Sequence, residues 1–267
     1  MLNIPNIQQA MSVFVAEELS EVLNTKVVIG RINMGLLNRI IIDDVLLDDQ
    51  SGQEMLKVTR LSAKFDIMPF FKGKISISSV QLFGFNINLR KETPDSPPNF
   101  KFVLDAFASK DTVKKENSLD LRINSILIRR GRMSYHVLSE EETPGKFNAK
   151  HIQLQNIIAN ISLKALSKDS LNLGIKRLSL DEKASGFSLK KMSLKLVAND
   201  KQTNIDNFTI ELPETSLKLD TIHLEYDSLK AFDRFTEQVH FSFRTLPSQV
   251  TLKDISPFVP ILSHFKE

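Results

Sequence analysis

One eight-residue pattern recurs through most of the chain: apolar, any, apolar, any, any, apolar, any, apolar. The intervening positions are mostly Ser, Lys, Arg, Asn, Gln, Asp or Gly. Alternation with a period of two is typical of a β-strand that has one apolar face and one polar face. The copies are Ile40-Ile42-Val45-Leu47, Leu56-Val58-Leu61-Ala63, Ile75-Ile77-Val80-Leu82, Leu121-Ile123-Ile126-Ile128, Ile152-Leu154-Ile157-Ala159, Leu173-Ile175-Leu178-Leu180, Phe187-Leu189-Met192-Leu194 and Leu217-Leu219-Ile222-Leu224.

The three-residue step in the middle of each copy constrains the strand most. In a regular strand this odd step would turn the second apolar pair to the opposite face. A β-bulge adds one residue, keeps all four side chains on one face and bends the strand. The alternative is a tight turn at each gap, but the gaps lack Asn-Gly or Gly-X chemistry, so we favour a bulge or a kink. The gaps used for this comparison are Ser78-Ser79, Asn124-Ser125, Lys176-Arg177, Lys190-Lys191 and Asp220-Thr221.

Composition narrows the class of protein. The chain has 267 residues, of which 42% are hydrophobic, which is too many for a disordered chain. A net charge of +3 is too weak to indicate nucleic-acid binding, and the absence of cysteine excludes disulfides and thiolate metal sites. The sequence holds no apolar stretch of about 20 residues that would span a bilayer as a helix.

The coarse pattern predicts a mainly β chain with few helices. Residues 5–23 have helical periodicity, and strands are expected at 26–33, 39–48, 55–65 and 74–90, then from 119 to 226 and from 239 to 253. We expect residues 1–24 to form an N-terminal amphipathic capping helix. Residues 25–267 should form a β-groove with short helical insertions near 100–109 and 229–236.

An apolar sheet face must be covered by a second sheet, by helices, by barrel closure or by a ligand. The predicted helices are too few to cover it, so we expect a long twisted antiparallel sheet folded into an open, taco-like groove. Burial of an acyl chain contributes about 0.8 kcal/mol per methylene, or roughly 12 kcal/mol for fifteen methylenes. The residues expected to line a lipid groove are Ile75, Ile77, Val80, Leu82, Ile123, Ile126, Ile128, Leu173, Ile175, Leu178, Leu180, Phe187, Leu189, Met192, Leu194, Leu217, Leu219, Ile222 and Leu224.

Residues 4–110 resemble a known family, and beyond them the likeness is limited to the strand pattern. The segments that carry this likeness are the helix 4–20 with its exit at 23–30, the strand and turn at 37–52, the strand at 75–89 and the segment 99–107. In these segments the chain resembles the N-terminal region of TamB-type translocation and assembly modules, in the AsmA-like superfamily. The opening helix followed by strands is also similar to the start of eukaryotic bridge-like lipid-transfer proteins.

The resemblance implies a location and a task. Proteins of this family are periplasmic, are anchored to the inner membrane by a helix that would lie upstream of residue 1, and bridge towards the outer membrane. They carry phospholipid and are linked to outer-membrane protein assembly through a barrel partner. The resemblance therefore implies lipid transport in outer-membrane biogenesis, with phospholipid, the inner membrane and an outer-membrane barrel as partners.

Polar motifs give little indication of catalysis, cofactors or metals. The carboxylates of Asp43, Asp44, Asp48 and Asp49 lack the spacing of a calcium loop, and we interpret them as a solvated strand exit and turn. The histidines are scattered without a zinc-ligand run. Phosphate loops, nucleophile elbows and dinucleotide fingerprints are missing from the sequence. We therefore expect a non-enzymatic protein without cofactor or metal.

Two functional hypotheses remain open at this point, and a purely structural envelope spacer is a third possibility. In the first, the apolar groove carries phospholipid acyl chains. In the second, the sheet has a dry core, and its open edges bind strands of partner proteins during outer-membrane protein translocation and assembly. The basic segment 129–132 could meet anionic head groups, but we favour its interpretation as the polar face of a strand.

Overall fold

The computed structural model describes residues 5–35, 38–65, 75–108, 119–120, 124–166 and 170–259. The predicted crossover at 68–73 and the predicted charged loop at 111–118 lie outside the described residues. Within the described residues the chain is mainly β, as the pattern predicts.

The helices are few, and most are short. Helix α1 (Pro5–Leu23) and helix α2 (Lys101–Ala108) come early, and a 3-10 turn at Leu229–Arg234 runs into the helical turn Phe235–Gln238; another turn is Leu252–Ile255. The strands are β1 (Val27–Gly35), β2 (Arg39–Asp48), β3 (Glu54–Phe65), β4 (Ile75–Lys91), β5 (Leu119–Asp120), β6 (Ser125–Val137), β7 (His151–Leu166), β8 (Ser170–Glu182), β9 (Ser188–Asn199), β10 (Gln202–Glu211), β11 (Ser216–Tyr226) and β12 (Val239–Thr245).

Strand order follows chain order. Strands hydrogen bond side by side in the order β1-β2-β3-β4-β6-β7-β8-β9-β10-β11-β12, while β5 pairs with β4 in parallel outside this order. The neighbouring pairs among β1–β4 and among β8–β12 are antiparallel. Within the described part of the chain, β1 and β12 are the two ends of this order.

The chain divides into two compact units. The first comprises Met1–Ile123, Ile128–Pro144 and Asn148–Asn156, and the second comprises Asn124–Leu127, Gly145–Phe147 and Ile157–Glu267. In the first unit, buried side chains from α1, β1, β2 and β3 form one core. In the second unit, Tyr226, Ala231 and Val239 form a smaller core.

Bulges occur at the predicted gaps. On β4, Ser78 is an extra residue, because Lys64 pairs with Ser79 while the next residue of β3 pairs with Ile77. The register between β8 and β9 shifts at the gap 176–177 and again at the gap 190–191. Strand β11 gains one residue against β12 at the gap 220–221. The prediction of bulges rather than turns is therefore confirmed at these four gaps, and the gap 124–125 borders undescribed residues.

In strands β1–β4, the apolar side chains stay on one face in a different way at another set of two-residue gaps. Their gaps lie opposite one another, at 30–31, 43–44, 59–60 and 83–84, so the register continues through them without a shift. Asp44 and Gly84 adopt left-handed backbone angles there, with φ of 56° and 64°. A Cβ atom on Gly84 would lie 2.7 Å from Thr59 Oγ1, so this position also needs glycine because a side chain would clash with Thr59.

Asparagine serves the same purpose in two further strands. Asn156 in β7 and Asn207 in β10 have φ of 55° and 53°, and each occupies the second position of a two-residue gap. Asparagine tolerates this left-handed conformation better than β-branched residues do. One left-handed residue per strand therefore returns the next apolar side chain to the original face.

Two sequence expectations need correction. The strand pattern predicted from 239 to 253 ends at Thr245, and a short helix occupies Leu252–Ile255 instead of a further strand. The apolar side chains of α1 also do not share one buried face. Val15 and Leu19 pack against the core, whereas Phe14 is 62% exposed and Val22 is 44% exposed.

Candidate functional site

The first apolar wall is the set of cross-strand partners on one face of β1–β4. Residues directly opposite each other in neighbouring strands point to the same side of a sheet. Four rows cross these strands, and every member is aliphatic, Met or Phe. The rows are Val27-Leu47-Leu56-Ile87, Ile29-Val45-Val58-Phe85, Ile32-Ile42-Leu61-Leu82 and Met34-Ile40-Ala63-Val80.

Helices pack on one end of the first apolar wall. Val15, Leu19 and Leu23 of α1 pack with Val27 and Ile29 of β1. Phe102, Val103 and Ala106 of α2 join the same cluster. Burial decreases along the strands from the second row to the fourth. Three members of the second row are buried, whereas Leu61, Leu82, Ala63 and Val80 in the last two rows are only half-buried.

The second apolar wall is the corresponding face of β8–β12 in the second unit. Its cross-strand rows again hold mostly aliphatic side chains. The rows are Leu171-Ala198-Thr203-Leu224-Phe241, Leu173-Leu196-Ile205-Ile222-Phe243 and Leu178-Met192-Ile210-Leu217, with the pairs Ile175-Leu194, Leu180-Leu189 and Phe208-Leu219 between them. None of these row residues is charged.

Most of the predicted lining residues are half-buried. A residue in a sealed core is normally almost fully covered, whereas among the members of this set whose burial the structure describes only Leu189 falls below a tenth exposed, at 8%. The half-buried members are Val80, Leu82, Ile126, Ile128, Leu173, Ile175, Leu178, Leu180, Phe187, Met192, Leu194, Leu217, Leu219, Ile222 and Leu224. For Ile75 and Ile77 only the position in β4 is described, and Ile123 lies outside the described residues.

Phe187 occupies a different setting from the other predicted lining residues. It precedes β9 in the turn after β8, and its ring meets Phe258 edge-on at a centroid distance of 4.8 Å. Phe258 also packs against Phe147 at 4.9 Å. Phe187 therefore belongs to an aromatic cluster at the end of the second unit's strands.

Strand β12 presents aromatic side chains at the end of the second apolar wall. Phe241 and Phe243 are 54% and 56% exposed, and their rings are stacked 6.2 Å apart. Phe235 contacts Phe241 at 5.8 Å, and Tyr226 contacts Phe232 at 4.9 Å. The last strand of the pairing order thus carries a run of accessible aromatic surface.

The acidic cluster at 43–49 is not uniformly solvated, which corrects the sequence interpretation. Asp49 is only 1% exposed, and its carboxylate accepts hydrogen bonds from Arg90 at 2.7 Å and from Asn99 at 3.2 Å. The other carboxylate oxygen accepts from the backbone N–H groups of Ser51 and Gln53 and from the Ser51 hydroxyl.

This hydrogen bonding controls the charge of Asp49. Burial by itself would raise the pKa of Asp49, but the hydrogen bonds from Ser51, Asn99 and the two backbone amides outweigh it and hold the pKa below its usual value. The carboxylate is therefore a charged structural group that joins the β2–β3 turn to β4.

The same turn holds the end of α1. Gln50 Nε2 donates to the carbonyl of Leu23 at 2.9 Å, and Thr25 Oγ1 donates to the carbonyls of Asp48 and Asp49. Asn24, with φ of 47°, ends the helix in the left-handed region. These bonds fix the helix against the sheet where the first apolar wall is most buried.

Sequence reasoning missed one cluster of potential metal ligands. His136 at the end of β6 and His151 at the start of β7 approach each other, and Glu142 from the intervening loop joins them. The available signal was that both histidines flank one short loop between neighbouring strands. The spacing between His136 and His151 indicates a shared site only once β6 is known to lie beside β7.

Comparison of the chain with protein-family models and with curated proteins finds no match. The resemblance to TamB-type modules therefore stays a prediction from the residues named above. No helix among the described residues is long and apolar enough to cross a membrane.

Proposed function

We propose that the apolar walls bind phospholipid acyl chains and that the protein is a non-enzymatic lipid-transfer segment. In this proposal it works in the periplasm, between the inner and outer membranes of a Gram-negative envelope, near the membrane from which lipid enters. The observation that carries the proposal is the set of half-buried aliphatic side chains that the cross-strand rows of β8–β12 place on one sheet face of the second unit.

The energetics favour a long apolar ligand. When a bound ligand covers the remaining exposed surface of these aliphatic side chains, each Å² of apolar surface removed from water stabilises the complex by about 25 cal/mol. An acyl chain matches such rows because it has no polar group to satisfy. Since no charged residue interrupts the rows of the second apolar wall, the acyl chain can slide along them while the head group of the lipid stays in water.

Bulk apolar contact needs no catalytic residue. The lining residues contribute surface area rather than chemistry, so the affinity is spread over many small contacts. Loss of a single methyl group from the wall should then matter little, whereas a charge placed within it should matter greatly.

A second candidate function is supported by β12. Its exposed aromatic side chains and its place at the end of the pairing order suit the addition of a strand from a partner protein. In that case the chain would assist outer-membrane protein assembly as a binding module and would carry no lipid.

Native mass spectrometry separates these functions. We expect the purified chain, after incubation with phosphatidylethanolamine vesicles and removal of the vesicles by flotation, to carry whole phospholipid molecules. The reason is that the acyl chains gain about 0.8 kcal/mol for each methylene they bury against the walls. The readout is the mass added to the 267-residue chain.

Glycerophosphoethanolamine, which has the head group without acyl chains, is the control ligand and should not bind. A chain that stays free of phospholipid after incubation would support the binding-module function instead. Equal binding of the control ligand would place recognition at the head group and contradict the acyl-chain proposal.

A further inference from the structure

Three potential metal ligands meet beside the connection between β6 and β7. Nδ1 of His136 lies 3.0 Å from Nδ1 of His151 and 3.9 Å from a carboxylate oxygen of Glu142. One atom from each of the three residues lies within 4.8 Å of the others. All three residues belong to the first compact unit.

The backbone around the histidines is well fixed. His136 is the penultimate residue of β6, and His151 is the first residue of β7. Val137 donates its N–H to the carbonyl of Lys150, and His151 donates its N–H to the carbonyl of Asn148. Ligands held by strand ends are better preorganised for a metal than ligands on free loops.

The hydrogen bond on the far side of His151 sets the state of its ring. Nε2 of His151 lies 2.9 Å from the backbone carbonyl of Glu140, and a carbonyl can only accept, so Nε2 carries a hydrogen. In the neutral ring this leaves Nδ1 as a lone-pair donor directed at His136. A backbone carbonyl in this position is the usual outer partner of a metal-binding histidine.

The dimensions suit a small tetrahedral cation. Around Zn²⁺, ligand atoms at 2.0–2.2 Å lie roughly 3.3 Å apart. The nitrogen pair at 3.0 Å needs to open slightly, and the carboxylate at 3.9 Å needs to move inward. Glu142 can make that movement because its side chain is 62% exposed, whereas His151 is buried at 7%.

We propose that His136, Glu142 and His151 bind one divalent transition metal ion of the zinc class. Two imidazole Nδ1 atoms and one carboxylate oxygen supply three ligands, and the fourth position is left to water or to another donor. The ion would fasten the loop of residues 138–150 to the ends of β6 and β7. This site is independent of the proposed lipid function, because its ligands are not members of either apolar wall.

Isothermal titration calorimetry tests the site on the full chain after dialysis against a chelator. The wild-type chain should bind one Zn²⁺ and should give no comparable signal with Mg²⁺, since imidazole ligands favour zinc. H136A should weaken zinc binding about 100-fold, because it removes a direct ligand, and E142Q about tenfold, because it replaces an anionic carboxylate ligand by a neutral amide.

H223A is the matched control, because His223 also lies beside a carboxylate, 3.0 Å from Glu225, but lacks the second histidine. The zinc affinity of H223A should equal that of the wild type. Circular dichroism checks that H136A is folded. If H136A unfolds, E142Q tests the site instead, because the exposed side chain of Glu142 can be replaced without disturbing the fold. The proposal is overturned if the wild type does not bind Zn²⁺, or if folded H136A or E142Q binds it as tightly as the wild type.

Discussion

Leu194→Asp is expected to abolish phospholipid loading while the sheet stays folded. Leu194 lies in the second apolar wall, half-buried, opposite Ile175. An ionised carboxylate among acyl chains loses its hydration and finds no hydrogen-bond donor, so its cost outweighs several buried methylenes. We expect bound phospholipid, measured by native mass spectrometry, to fall by about tenfold or more, because a cost of 1.4 kcal/mol already gives a factor of ten.

Val197→Asp is the matched control for this substitution. Val197 lies on the same strand three residues further on, its side chain points to the opposite face, and it is 48% exposed. The same aspartate there should leave both lipid loading and the circular dichroism spectrum unchanged. If Leu194→Asp unfolds the chain while Val197→Asp does not, the wall is a sealed protein core and the lipid proposal is wrong.

Asp49→Ala is expected to lower the free energy of unfolding by about 3 kcal/mol, the low end for breaking a buried ion pair. The low end applies because Arg90 keeps 21% of its side chain exposed and can be partly rehydrated. The substitution also leaves the backbone N–H groups of Ser51 and Gln53 without their acceptor. Chemical denaturation measures the loss.

Asp105→Asn is the matched control for Asp49, because Asp105 is 59% exposed and pairs with Lys101 across one turn of α2. Exposed pairs of this kind contribute little, so stability should change by less than about 0.5 kcal/mol. A loss at Asp49 no larger than the loss at Asp105 would contradict the structural role of the buried carboxylate.

The Asp49 contribution should also depend on pH. Its pKa in the folded chain lies below the usual value, so folding favours the charged form. The stabilisation is therefore complete above the unfolded-state pKa of about 3.9 and is lost as the pH falls through the lower folded-state pKa. Between pH 7 and pH 3 the wild type should lose more stability than Asp49→Asn, and equal losses would contradict this assignment.

The strands and their bulges could be predicted because they depend on local pattern. Alternation places side chains on one face, and the three-residue step requires an extra or left-handed residue wherever it occurs. The positive φ angles of Asn156 and Asn207 meet this requirement with a residue that tolerates it. The β content and the helix at 5–23 follow from the same periodicities.

The polar sites could not be predicted because they depend on contacts between distant residues. The buried carboxylate of Asp49 is paired with Arg90, which lies 41 residues away in the sequence. His136 and His151 lie 15 residues apart and meet only at the ends of two adjoining strands. The sequence pattern specifies which face a strand residue occupies, but it does not specify which side chains lie beside it at the strand ends.

Site-specific photocrosslinking tests the lipid proposal most directly. A benzophenone amino acid is placed in turn at Leu194 and Leu196, on the second apolar wall, and at Lys195 and Val197, which alternate with them on the opposite face. After incubation with radiolabelled phosphatidylethanolamine and illumination, phospholipid should crosslink at 194 and 196 and not at 195 and 197. Equal labelling of all four positions, or of none, would contradict the claim that this apolar face binds lipid.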